Sequence, residues 1–212
     1  MVRRHVVISG TGRAGTTFLV ELMTHLELQT GFTLAELAER KDARARAGLE
    51  KDILDDDCPY IVKSPSFCDV AEQVLAMKHI TIEHVIIPMR DVRAAAESRR
   101  FVTDSVASEW SLLERAMAIV RRRRVRGGLW HTAKGHEQEV VLLQQLYNLT
   151  LALSGTMIPV TLLRYPRLVK DATYLFDKLR PILGDVREDR FRAAFEKTAN
   201  PGLVHSFSQA DR

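Results

Sequence analysis

One corner of the chain constrains its fold more than any other segment. An apolar run at residues 5–8 (HVVI) leads directly into the glycine loop, which we define as residues 9–17 (SGTGRAGTT). An apolar run followed by glycines predicts a buried strand that turns into a helix. The first turn of such a helix offers unpaired backbone N–H groups and the positive end of the helix dipole, which together bind phosphate or sulfate. The sequence therefore predicts an anion site at this corner.

The spacing within the glycine loop narrows the class of anion. Gly10 and Gly15 have the spacing of the nucleotide-binding G-x-x-x-x-G-K-[ST] loop, but Thr16 occupies the position of its lysine. The cation lies inside the loop instead, at Arg13. We therefore expect the loop to bind an anhydride without the usual arrangement of ATP and magnesium. An ordinary glycine-rich turn is the structural alternative.

The segment at residues 13–18 (RAGTTF) resembles the 5′-phosphosulfate loop of sulfotransferases, whose donor is 3′-phosphoadenosine 5′-phosphosulfate (PAPS). The resemblance implies that Arg13 contacts the bridging oxygen as it becomes the leaving group. Because a sulfuryl group carries less negative charge than a phosphoryl group, an arginine and backbone amides can stabilise the developing charge without a metal. The loop residues implied to bind the donor are Gly12, Arg13, Ala14, Gly15, Thr16 and Thr17.

A second segment resembles the 3′-phosphate-binding element of PAPS enzymes. Residues 83–89 predict another buried strand, Arg90 ends it, and Ser98 follows eight residues later, two helical turns along on the same side. The resemblance implies that Arg90 and Ser98 bind the 3′-phosphate, to which a guanidinium can donate two hydrogen bonds. The alternative is a surface ion pair at Arg90 and a neutral helix residue at Ser98.

Two further segments follow in the order found in the family. Residues 63–65 (KSP) resemble the Lys-Ser/Thr-Pro segment of carbohydrate sulfotransferases, which implies that Lys63 neutralises the transferring group or steers the acceptor. A solvated lysine at a strand end is the alternative. Residues 162–171 resemble the segment after the last core strand, with Pro166 and Arg167 replacing an acidic pair. The C-terminal Gly-x-x-Gly-x-Trp-Lys element of cytosolic sulfotransferases is absent, so the resemblance is to bacterial and carbohydrate-type members.

The acceptor hydroxyl needs a general base, and related enzymes use His or Glu. The glutamate choice lies after the loop helix, which makes Glu36 and Glu50 candidates, with Glu50 preferred because the nearby Gly48 allows an acceptor to approach. Four histidines are the alternatives, namely His79, His84, His131 and His136. Of these His131 is the best placed, beside a predicted loop, and histidine is the side-chain type whose ordinary pKa suits a base. Surface carboxylates are the alternative for both glutamates. The sequence does not decide among these glutamates and histidines.

Strands alternate with helices along the chain, which predicts an α/β protein with a mainly parallel central sheet flanked by helices in three layers, as in P-loop NTPases. We expect a single domain over residues 1–212. The predicted strands are residues 5–9, 60–63, 83–89 and 159–164. The predicted helices are residues 15–26, 68–77, 92–100, 106–124, 137–153, 172–183 and 188–197, and residues 30–58 are polar and helix-prone.

Charge and composition exclude several classes of protein. Lysine and arginine total 31 against 27 acidic residues, a net charge of +4 that suits a polyanionic donor and is too mild to demand nucleic acid. The two cysteines have neither metal-like spacing nor a disulfide framework. With no targeting segment and no apolar stretch of about 20 residues, we expect a cytoplasmic protein. The basic cluster at residues 121–126 predicts a solvated helix end, a clamp for an anion or an RNA contact.

The expected function is therefore PAPS-dependent transfer of a sulfuryl group to a hydroxyl or amine of a small molecule or glycan, with no metal and no nucleic-acid or membrane partner. An ATP-dependent small-molecule kinase is the enzymatic alternative. It would need a lysine at position 16 and an acidic magnesium ligand at a strand end, where this chain has Lys63, Arg90 and Arg164. A non-catalytic nucleotide-binding scaffold is the third possibility.

Overall fold

Four parallel strands form the central sheet of the computed structural model, which describes residues 2–42, 47–108 and 127–200. The strands are β1 (Arg3–Ile8), β2 (Lys41–Asp42), β3 (Ala47–Gly48), β4 (Ile61–Lys63), β5 (Ile80–Met89) and β6 (Val160–Arg164). The order across the central sheet is β4-β1-β5-β6, and the short antiparallel pair β2–β3 lies outside it.

Helices connect the parallel strands, as parallel connections require. They are α1 (Thr16–His25), α2 (Leu34–Arg40), α3 (Phe67–Leu75), α4 (Val92–Ser108), α5 (Gln138–Ser154), α6 (Arg167–Lys170), α7 (Ala172–Leu183) and α8 (Glu188–Thr198). A single 3₁₀ turn, Gly135–Glu137, precedes α5. None of the described helices combines the length and the apolarity needed to cross a membrane.

The sheet carries a hydrophobic core on each face. Because side chains alternate along a strand, Val6 and Ile8 pack on one face with α1, α7 and α8, while Val7 packs on the other with α3 and α5. The pairing of Val7 with Val62 and with Val85 aligns the three strands so that each face is continuous. The predicted α/β fold, with a parallel sheet between two helical layers as in P-loop proteins, is confirmed.

The observed bounds of one strand and one helix differ from the predicted bounds, and one strand pair was not predicted. β5 begins at Ile80 instead of residue 83, because Ile80 and Ile82 are buried while Thr81 between them is exposed. α4 continues to Ser108 instead of ending at residue 100, so residues 106–108 belong to it. The β2–β3 pair arises in the segment predicted to be helix-prone. The rest of the predicted helix at 106–124 and the basic cluster at 121–126 lie outside the described residues.

The strand order creates a crevice at one edge of the sheet. From β1 the chain crosses to β4 on one side, whereas from β5 it crosses to β6 on the other, so the connections after β1 and β5 leave in opposite directions. Open α/β sheets bind ligands at such a point, beyond the carboxyl ends of the strands. Here the two connections are the glycine loop and the segment that begins with Arg90.

Candidate functional site

The glycine loop has a backbone that only glycine adopts easily. Gly10, Gly12 and Gly15 have φ angles of 128°, 65° and 87°, and Arg13 also has a positive φ of 55°. Gly12 has a second constraint, because a Cβ atom there would lie 2.6 Å from Nη2 of Arg99. Left-handed residues interspersed in a loop curve the backbone so that its N–H groups converge into an anion-binding concavity.

Helix α1 begins at the end of this loop with its dipole uncompensated. Gly15 is the N-cap residue, no described side chain caps the helix, and its first turn contains no acidic residue. The first N–H groups of a helix have no intrahelical partner and carry a partial positive charge. The local sequence thus presents an anion with backbone donors from the loop and from the first turn of α1.

Arg13 joins the two segments that were predicted separately to bind the donor. Its Nε donates a hydrogen bond of 3.0 Å to Oγ of Ser98, which is buried on α4. Its backbone carbonyl accepts a hydrogen bond of 3.0 Å from Nη1 of Arg90. The Arg90 guanidinium in turn lies 4.7 Å from the centre of the Tyr165 ring. The structure therefore brings Arg13, Arg90 and Ser98 together at the crevice.

Lys63 lies at the end of β4 and reaches the first turn of α1. Its Nζ donates to Oγ1 of Thr17 at 2.8 Å, to Oε1 of Glu50 at 2.8 Å and to the carbonyl of Gly48 at 2.6 Å. Lys63 is only 4% exposed, so the alternative of a solvated lysine is wrong. The pairing of Ile8 with Lys63 in the sheet explains this position, since it sets Lys63 beside the start of the glycine loop.

The three candidate bases have different surroundings, and Glu50 is the one joined to Lys63. Its side chain is 31% exposed, and Oε1 also accepts a hydrogen bond of 3.3 Å from the Gly48 N–H. Glu36 forms a capping box at the start of α2: Oε2 accepts from the N–H and Oγ1 of Thr33 at 2.9 Å, and the Glu36 N–H donates back to Thr33 Oγ1. Glu36 therefore has a structural task at a helix end.

His131 lies against the first turn of α3. Its Nε2 is 2.8 Å from Oδ2 of Asp69, whose Oδ1 accepts a hydrogen bond from Nε2 of Gln145. The residue before Asp69 is Cys68, whose thiol lies 3.6 Å from the Gly10 carbonyl oxygen. The Asp69 carboxylate thus orients the ring of His131, as a carboxylate orients a histidine base. Asp69 is also the next residue after Cys68, which contacts the glycine loop.

Arg99 is a site residue that the sequence interpretation missed. It is 5% exposed, its Nη2 donates to the Thr11 carbonyl at 2.6 Å, and its Nη1 donates to the Gly128 carbonyl at 2.7 Å. Burial and the nearby charge of Arg13 lower the pKa of Arg99 to about 10, so it stays charged at neutral pH. Helical spacing was the available signal, because Ala95, Arg99 and Val102 share one buried face of α4.

The site is strongly cationic. Arg13 belongs to the glycine loop, and three further cations contact the loop or the start of α1, namely Lys63, Arg90 and Arg99. In the described ranges, no group of three or more His, Cys, Asp or Glu side chains is arranged to hold a metal ion. Chemically, the arrangement can bind an anion through main-chain amides and guanidinium groups and stabilise negative charge that develops on it.

Comparisons with protein-family models and with curated proteins find no match for this chain. The function is therefore inferred from the residues that meet at the crevice. Those residues come from distant parts of the sequence, namely the glycine loop, Lys63 and the segment from Arg90 to Arg99.

Proposed function

We propose that this protein is a sulfotransferase that moves a sulfuryl group from PAPS to a hydroxyl or amine of a small molecule or glycan. One observation carries the proposal: Arg13 of the glycine loop contacts both Arg90 and Ser98, which lie eight residues apart in a different segment. PAPS carries a 5′-phosphosulfate and a 3′-phosphate on one ribose. These two anionic ends match the glycine loop and the pair formed by Arg90 and Ser98.

The donor would bind across the crevice. In this arrangement the loop amides and the hydroxyls of Thr16 and Thr17 hold the 5′-phosphosulfate, and Arg90 and Ser98 hold the 3′-phosphate. The guanidinium of Arg13 lies between them and reaches the oxygen that bridges phosphorus and sulfur. The support for this orientation is the anion-binding backbone of the loop, together with the position of Arg90 at the carboxyl end of β5.

Transfer would proceed by in-line displacement. The acceptor oxygen forms a new bond to sulfur while the bond from sulfur to the bridging oxygen breaks, and that oxygen leaves with the electron pair as part of adenosine 3′,5′-bisphosphate. Arg13 and Lys63 stabilise the charge that develops there. The acceptor proton passes to the Glu50 carboxylate. We choose Glu50 as the base because Nζ of Lys63 donates a hydrogen bond both to Glu50 and to Thr17 of the glycine loop.

The cysteines support placing this reaction in the cytoplasm. Cys58 and Cys68 are both free, and burial raises the pKa of the Cys58 thiol to about 12 and raises that of Cys68 as well. Free thiols are typical of reducing compartments.

Ligand-dependent thermal stability tests the proposal. Adenosine 3′,5′-bisphosphate at 100 times its dissociation constant is expected to stabilise the protein by about 2.7 kcal/mol. ATP with magnesium at the same concentration is expected to stabilise it less. Stabilisation by ATP with magnesium alone would assign the protein to the kinases, and stabilisation by neither nucleotide would reject the donor site.

A further inference from the structure

Arg99 is a buried cation whose charge has no partner among the described residues. Its guanidinium donates to two backbone carbonyls, but no described carboxylate lies within ion-pair distance of it. Its Nε is buried and has no hydrogen-bond partner within residues 2–42, 47–108 and 127–200. An unpaired charge in the interior is costly, and an unmet donor adds to that cost. These features indicate that Arg99 obtains its counter-charge from a ligand.

The position of the guanidinium identifies where that ligand binds. Nη2 contacts the carbonyl of Thr11, inside the glycine loop, and lies against the side of Gly12 that a Cβ atom would occupy. After burial, the charge of Arg13, the next residue of the loop, is the second cause that lowers the pKa of Arg99. Arg99 therefore supports the anion-binding concavity from the side of α4.

The opposite side of Arg99 holds a second segment. Nη1 contacts the carbonyl of Gly128, and the guanidinium lies 5.7 Å from the centre of the Trp130 ring. Thr103, one helical turn after Arg99, accepts a hydrogen bond of 2.9 Å from the Leu129 N–H. The segment at residues 128–130 is thus attached to α4 beside the glycine loop, and Arg99 contacts both.

We propose that Arg99 is a positioning residue that couples an anion bound in the glycine loop to the segment at residues 128–130. A bound anion supplies the missing negative charge, draws the guanidinium toward the loop and changes the contact of Arg99 with Trp130. This inference rests on the loop being the anion site of the proposed function, but it does not depend on the anion being PAPS.

The fluorescence of Trp130 tests the coupling. The variant Trp110→Phe removes the other tryptophan of the chain, and it is titrated with adenosine 3′,5′-bisphosphate and, separately, with pyrophosphate, while calorimetry measures binding. We expect a saturable change in Trp130 emission with the same midpoint as binding. Adding Arg99→Met is expected to abolish the emission change and to weaken anion binding about tenfold or more. The matched control is Arg93→Met on the same helix, where the arginine is exposed, and it is expected to change neither.

Arg99→Lys provides a second test that does not depend on the folding of the methionine variant. Lysine retains the charge but cannot bridge two carbonyls as the planar guanidinium does. We expect this variant to bind the anion within about fivefold of the parent and to lose the emission change. An emission change that persists in Arg99→Lys would overturn the inference, as would anion binding without an emission change in the parent, or no binding of either anion. A response to pyrophosphate without one to the bisphosphate would reject the sulfotransferase proposal and retain the role of Arg99.

Discussion

The cations at the glycine loop and those on the C-terminal helix pair, α7 and α8, have opposite surroundings. Arg187, the N-cap residue of α8, pairs with Asp189, and Arg192 on α8 pairs with Glu188. All four side chains are about half exposed or more. Lys63 and Arg99 are instead 4% and 5% exposed. Both regions are rich in arginine and lysine, so composition alone does not distinguish them.

The difference separates exposed cations that pair with surface carboxylates from buried cations at the glycine loop, where Lys63 pairs with Glu50 and Arg99 has no carboxylate partner among the described residues. An exposed ion pair contributes at most about 1 kcal/mol and implies no partner beyond its own carboxylate. Burial of a cation has a desolvation penalty that other interactions in the folded protein must offset. Buried ionisable groups are common at functional sites. The comparison therefore predicts that substitutions at the loop affect function and that equivalent substitutions on α8 do not.

The largest expected effect is at Arg13. Arg13→Ala removes the guanidinium proposed to stabilise the leaving oxygen, so release of adenosine 3′,5′-bisphosphate from PAPS is expected to fall by about 10²–10³. Circular dichroism is expected to show an intact fold. The control is Arg192→Ala, which removes an exposed paired arginine and is expected to leave turnover unchanged. Equal turnover in the two variants would remove Arg13 from the mechanism.

The second-largest effect is expected at the proposed base, Glu50. Glu50→Gln keeps a side chain of similar size but cannot take a proton, and kcat is expected to fall by about 10² or more. Because the proposal gives the acceptor proton to Glu50, we expect Glu36→Gln, which alters the cap of α2, and His131→Gln, which alters the contact with Asp69, to change kcat by less than about threefold. A larger loss in His131→Gln than in Glu50→Gln would transfer the role to the histidine.

A smaller effect is expected at Arg90. A hydrogen bond to a charged group contributes about 1.5–3 kcal/mol, so Arg90→Ala is expected to weaken binding of adenosine 3′,5′-bisphosphate by about 10- to 100-fold and binding of AMP much less. The control is Arg167→Ala, in which the lost guanidinium also lies over a tyrosine ring, that of Tyr174. Equal losses for the two nucleotides in Arg90→Ala, measured by calorimetry, would contradict contact with the 3′-phosphate.

The smallest effects are expected from glycine substitutions, which compare the backbone of the glycine loop with that of the turn after α7. Gly15 and Gly184 both have positive φ, but a Cβ atom at Gly15 would lie 2.9 Å from Cδ1 of Leu168, whereas nothing lies within 4 Å at Gly184. Because strain and overpacking add at Gly15, Gly15→Ala is expected to lower the free energy of unfolding by about 2 kcal/mol and Gly184→Ala by about 1 kcal/mol. Urea unfolding measures both, and equal losses would show that the contact with Leu168 relaxes.

Much of the fold could be predicted because its signals are local. The bounds of α7 agree with the predicted helix, since its buried residues recur at helical spacing between Asp171, which caps it, and Gly184, which ends it. The strand ends that carry Lys63 and Arg90 were also predicted. The length of α4 was not, because its exposed and buried residues alternate without a clear stop.

The candidate site was predictable only in part. A strand followed by glycines marks an anion-binding turn by itself, so the roles of Gly12 and Gly15 follow from the local backbone. Gly48 of the β2–β3 pair contacts both Lys63 and Glu50, and this pair forms in a segment with no strand signal. Helical spacing with Ala95 and Val102 was a sequence signal that Arg99 is buried, but its contacts with Thr11 and Gly128 follow only from the tertiary structure.

By itself the sequence determined the parallel α/β layers and the glycine-rich corner after β1, because periodicity, glycine and helix ends act over a few residues. Only the tertiary structure decided which cations surround that corner. Arg13, Lys63, Arg90 and Arg99 lie up to 86 residues apart in the chain and meet because the strand order brings the ends of β1, β4 and β5 to one edge. Burial, which separates these cations from those on α8, is a property of the packed chain.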